Sequence, residues 1–152
     1  MYKKIHFGRL FFHKIVMSTK KLHLRLIINN NSNRYHMNHQ ISIPELTLTC
    51  ERIRKRLVEV VYKAKAGHIG GGLSSLNALT ALYFRIMNVN PEDTKMESRD
   101  RFIMSKGHCV EALYSVLEAR GFFSKELFDT YGEYLSPMAG HPTIEIPGVE
   151  FN

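Results

Sequence analysis

No aspartate or glutamate occurs before Glu45, yet residues 1–44 carry eight Lys or Arg. The other 13 basic residues face all 14 acidic ones, so the formal charge of +7 belongs to the leader and the body is close to neutral. A near-neutral body has no electrostatic reason to follow a phosphate backbone, so nucleic acid is not an expected partner of the body. Cysteine is almost lacking: Cys50 and Cys109 form neither a CxxC nor any metal-ligand spacing. Both fall inside helical patterns, which points to buried reduced thiols in a reducing compartment, with the cytoplasm as the expected setting. No apolar run approaches the ~18 residues that a bilayer span requires, so no membrane association is expected. The body also has no HExxH, no His pair at three- or four-residue spacing and no Cys cluster, which leaves no zinc site.

Residues 1–40 mix basic, aromatic and Asn-rich segments without sustained periodicity. They are expected to form a disordered leader or extension. An organellar targeting segment, a nucleic-acid-binding arm, or a natural start at Met37 are the other readings. Ordered structure is expected over 41–152. Ser42 and Glu45 stand at capping-box spacing with Pro44 in the first turn, and Ile53, Leu57, Val60, Val61 and Ala64 follow at helical spacing. This predicts a helix to about Ala66, stopped by Gly67. Four glycines in the six residues of "GHIGGG" (67–72) predict a loop, because glycine carries the largest backbone entropy cost in a helix or strand. The loop is not a phosphate-binding Walker loop, since the closing Gly-Lys-Ser/Thr is missing. It is no dinucleotide fingerprint either, since a helix rather than a strand precedes it.

A second helix is predicted from Ser74 to Met87, and Phe102–Met104 reads as the one clear strand. A third helix is predicted over Cys109–Arg120, with Gly121 as its stop, and a short fourth over Ser124–Tyr131.

Three histidines of the body sit beside glycine at turns: Gly67-His68, Gly107-His108 and Gly140-His141. A Gly-His turn presents an imidazole at a crevice without a neighbouring side chain in the way. The Gly107-His108 corner, between predicted strand and helix, is where ligands of open α/β sheets bind, and a helix start there suits an anion. From the residues alone this gives an imidazole-lined polar pocket for a phosphorylated or polyhydroxylated ligand.

The segments "AGHIGGGLSSLNALTALYFRIMNVNPED", "RDRFIMSKGHCVEALYSVLEARGFF" and "YLSPMAGHPTIEIPGVEFN" resemble the amino-terminal part of transketolase, most closely the split type whose N-terminal section is a separate chain. The likeness runs from about Ile41 to Asn152. It implies an α/β fold of the thiamine-diphosphate-binding class, with 41–152 as a partial domain, and transfer of a two-carbon ketol unit between ketose and aldose phosphates. It implies thiamine diphosphate with Mg2+ as cofactors, sugar phosphates as substrates, and a complementary C-terminal section or subunit in an oligomer. Carried over to this chain, His68 contacts substrate oxygens and His141 contacts oxygens near the reacting carbons. His108 lies between the cofactor diphosphate and the substrate hydroxyls, with Gly107 and Ser105 beside it on the cofactor side.

The sequence departs from the family at its end. It stops at "PGVEFN", before the Gly-Asp-Gly and later Asn that hold the metal, and it has no counterpart of the glutamate that activates the cofactor. A fragment or truncation that is inactive alone is therefore expected. A non-catalytic interaction chain using the basic leader and a deoxyxylulose-phosphate synthase fragment are the competing readings.

Overall fold

A computed structural model describes residues 41–150; the expected leader, residues 1–40, lies outside the described residues. Helix α1 spans Ile43–Ala64. Its capping box is formed: the Glu45 amide donates to Ser42 Oγ at 3.4 Å, and the Ser42 amide donates back to Glu45 Oε2 at 3.0 Å. These satisfy donors that a helix start otherwise leaves open. The helix ends short of Gly67, at Lys65, which adopts the left-handed conformation (φ 52°). Cys50, Ile53, Leu57 and Val60 form its buried stripe.

Helix α2 spans Ile69–Ala81 and takes in Gly70, Gly71 and Gly72, which corrects the expected loop. Packing outweighs the entropy of glycine here. A Cβ on Gly71 would overlap Cys109 Sγ, and one on Gly72 would stand 3.3 Å from Leu57 Cδ1. The missing side chains let this helix lie close against its neighbours. The chain then widens into a π-turn over Leu82–Ile86, closed by the Met87 amide donating to the Leu82 carbonyl at 2.7 Å.

Phe102–Met104 is not a strand, and none occurs among the described residues. A strand exists only through a pairing partner, and no described segment supplies one. Phe102 is buried instead by edge-to-face packing on Tyr83, with ring centroids 6.0 Å apart. A 3-10 turn at Gly107–Cys109 leads directly into α3 (Val110–Arg120), which closes on Gly121 in the left-handed conformation (φ 90°). Helix α4 (Lys125–Asp129) starts at Ser124, whose Oγ accepts from the Leu127 amide.

Helix α3 is the central element. Every residue from Val110 to Leu117 is buried, so the helix has no solvent face over two turns. On one side Ile53, Leu57, Leu76, Leu79, Leu113, Val116 and Leu117 form a core; on the other, Val60, Tyr114, Phe128, Tyr131 and Met138 form a second. No helix among the described residues is long and apolar enough to cross a membrane.

Candidate functional site

The first two of the three glycine-flanked histidines meet. His68 caps the start of α2, and His108 occupies the middle of the 3-10 turn that opens α3. Their ring centroids stand 5.0 Å apart at an interplanar angle of 65°. Close packing between α2 and the 3-10 turn sets this separation, with Cys109 Sγ and the end of Lys106 lying against Gly71. His141 reaches the same turn from the last loop: a Cβ on Gly107 would stand 3.3 Å from His141 Cδ2 and 3.5 Å from Pro142 Cδ. Gly107 is thus bare where the third histidine crosses it. The fold brings all three histidine corners to one end of α3. Ser105 and Lys106 precede them, Ser105 exposed and Lys106 half-buried.

Under this cluster lies Glu111, which no motif marks. Its residue is fully buried. Oε1 accepts from the His68 amide at 2.7 Å and from the Tyr131 hydroxyl at 3.0 Å. Oε2 is buried with no hydrogen-bond partner among the described residues. Gly67, at φ 135°, would place a Cβ 2.5 Å from Glu111 Oε1, so the turn can pass the carboxylate only as glycine. One turn along α3, the Tyr114 hydroxyl donates to the His141 carbonyl at 3.3 Å. The sequence does hold a signal for Glu111. Its helical neighbours at three and four residues are Gly107, His108, Tyr114 and Ser115, so it has no Lys or Arg within helical reach and sits in an apolar run.

Burial pushes the Cys109 thiol up, and the nearby Lys106 ammonium only partly offsets that. This keeps Cys109 protonated at neutral pH and makes it a packing residue rather than a nucleophile. Burial, with the Glu111 carboxylate beside it, also pushes the Tyr131 phenol up, so Tyr131 remains a donor across the working range. Both cysteines are free and buried.

The donor set fits an anionic, hydroxyl-rich ligand. Imidazoles donate and accept, the Lys106 ammonium donates, and the positive end of the α3 dipole faces the same corner. Glu111 does not spoil this for an anion, because its Oε1 is engaged by two donors beneath the cluster. A divalent cation is not served: the described residues hold no group of three His, Cys, Asp or Glu that could bind one.

Comparison with known proteins places the chain. The family described as "Transketolase, thiamine diphosphate binding domain" matches residues 47–152. One of the subunits of apulose-4-phosphate transketolase from Phocaeicola vulgatus is 64% identical over 112 residues, covering 74% of this chain and 40% of that protein. The 6-deoxy-6-sulfo-D-fructose transketolase subunit SqwG from a Clostridium species is 46% identical over 89 residues, covering 59% of this chain and 32% of its own length. Transketolase 1 from Saccharomyces cerevisiae is 38% identical over 104 residues, covering 68% of this chain and 15% of its own length. The chain therefore spans well under half the length of these relatives. It belongs to the transketolase thiamine-diphosphate-binding family, and the α/β class expected from the sequence is compatible with that membership.

Proposed function

From this membership we propose that the chain is the N-terminal part of a split transketolase, moving a two-carbon ketol unit between a ketose phosphate and an aldose phosphate together with a complementary C-terminal section. The observation that carries the reading is the meeting of His68 and His108, with His141 crossing Gly107 beside them. Three side chains that each donate and accept suit a sugar, whose hydroxyls each need both.

Thiamine diphosphate, when bound, supplies the carbon nucleophile and the electron sink for the two-carbon unit. The chain's own residues bind and orient. His108, at the start of α3 with Gly107 and Ser105 beside it, holds a diphosphate oxygen and a substrate hydroxyl together. His68 takes a hydroxyl further along the sugar. His141 holds an oxygen next to the reacting carbons, where an imidazole can donate or accept a proton. Mg2+ ligands are not gathered among the described residues, and no step here uses that ion.

A complementary section is supported by two relatives that are each named as one subunit of a transketolase. Two free buried cysteines accord with a cytoplasmic setting. The test is reconstitution: purified chain, its candidate C-terminal partner, thiamine diphosphate and Mg2+, with ketol transfer followed from apulose 4-phosphate as donor to an aldose phosphate as acceptor. Transfer that needs both polypeptides is the expected result. Transfer by neither, at partner concentrations that saturate complex formation, refutes the reading.

A further inference from the structure

The three histidine corners share one anchor. Helix α3 follows directly on the turn that holds His108 and carries Glu111 and Tyr114 at a spacing of three, which places them on one face. Glu111 accepts from the His68 amide, and Tyr114 donates to the His141 carbonyl. The backbone of each of the other two corners is thus tied to the helix that presents His108.

Glu111 does more than tie a backbone. Its carboxylate is buried, and Oε2 has no partner among the described residues, an arrangement that is costly unless a donor comes to it. The His68 ring lies beside this carboxylate: Nδ1 stands 4.0 Å from Oε1, the oxygen that already accepts from the His68 amide and Tyr131, close enough for the charge to act on the ring though beyond a hydrogen bond. A neutral imidazole carries one proton, on Nδ1 or on Nε2. With the proton on Nε2, the lone pair of Nδ1 would face a buried carboxylate 4.0 Å away, on a ring whose outer edge is open to solvent. With the proton on Nδ1, the same contact is attractive. The carboxylate therefore selects the second form, as the partner of one ring nitrogen fixes the state of the other.

We propose that Glu111 is a positioning residue that sets both the place and the tautomer of His68, so that Nδ1 carries the proton and Nε2 is left as an acceptor. Under the transketolase reading, on which the role of this acceptor rests, Nε2 receives a hydrogen bond from a substrate hydroxyl. Tyr131 completes the device by donating to Oε1, which holds the carboxylate in register with the His68 turn. Gly67 allows the turn to pass at this distance.

The tautomer can be read without any activity. In the full chain labelled with nitrogen-15 at histidine, at a pH above the imidazole range, the ring nitrogens of His68 report which one is protonated; a His68→Gln variant assigns the signals. The expected result is Nδ1–H as the major form in the native chain. In Glu111→Gln, which keeps an acceptor but removes the charge, the population moves toward Nε2–H. In Tyr131→Phe, which leaves Glu111 charged, it stays Nδ1–H.

A native chain that reads Nε2–H overturns the proposal, as does a Glu111→Gln spectrum identical to the native one or a Tyr131→Phe spectrum that inverts. The native measurement alone decides if a variant fails to fold. In the reconstituted complex, Glu111→Gln is expected to raise KM for the ketose phosphate about tenfold with a smaller change in kcat, the pattern of lost ground-state binding. If the tautomer is as proposed and no transfer occurs, the transketolase reading falls and the role of Glu111 stands.

Discussion

Replacing Gly71 with alanine sets two effects of known size against each other. Gly71 lies in the first turn of α2, and alanine there lowers the entropy lost on folding, worth about 0.5–1 kcal/mol in favour of the variant. The added Cβ would overlap Cys109 Sγ and stand 3.2 Å from Lys106 Nζ. Lys106 can swing away, but Cys109 is fully buried at the head of α3 and cannot. Overpacking a site of that kind costs about 1–3 kcal/mol, so the variant should lose about 1–2 kcal/mol net. Gly70 is the internal control, because its Cβ would meet nothing within 4 Å. Gly70→Ala should gain up to about 1 kcal/mol.

Urea denaturation followed by circular dichroism separates the two. The midpoint should fall for Gly71→Ala and rise for Gly70→Ala, with m unchanged in both. Adding Cys109→Ala to Gly71→Ala should recover part of the loss as a coupling energy between neighbours. Midpoints that rise equally for both glycines would refute the claim that α2 needs bare backbone against the His108 turn.

Other outcomes follow from the same geometry. Gly67→Ala adds a strained positive φ to a Cβ 2.5 Å from Glu111 Oε1, and should cost about 1–3 kcal/mol in the same denaturation assay. Leu57→Ala empties a fully buried site between α1 and α2 and should cost about 2–5 kcal/mol by calorimetry or urea. For acid stability, the Arg56 guanidinium donates to Asp129 at 2.8 Å and holds its carboxyl below the usual range. A depressed folded pKa stabilises above the unfolded value, near 3.8, and that contribution is lost as pH falls through the folded pKa. Asp129→Asn should therefore lose stability at neutral pH and show a shallower decline below about pH 4.

Much of the helical frame was legible because its signals are local. The Ser42–Glu45 box, the Gly121 stop and the Ser124 cap each act through residues within four positions, and each forms as expected. The failures concern features decided by distant partners. Gly70–Gly72 joined a helix because Cys109 and Leu57 lie against it, which no local propensity records. Phe102–Met104 lost its strand because pairing needs a second segment. The three histidine corners were legible through their glycines, and an imidazole-lined pocket was expected from them; the distances between them depend on how α2 and the last loop pack on the 3-10 turn. Glu111 belongs to no motif; that α3 is buried on all sides around it is a property of its neighbours.

The most direct test of the account is kinetic. In the two-part complex with thiamine diphosphate, His108→Ala should lower kcat/KM for ketol transfer by about a hundredfold or more, while the variant chain keeps its urea midpoint and its affinity for the partner. Transfer at native rates by a folded, fully assembled His108→Ala complex would contradict the claim that the corner between Gly107 and α3 holds the reacting ligands.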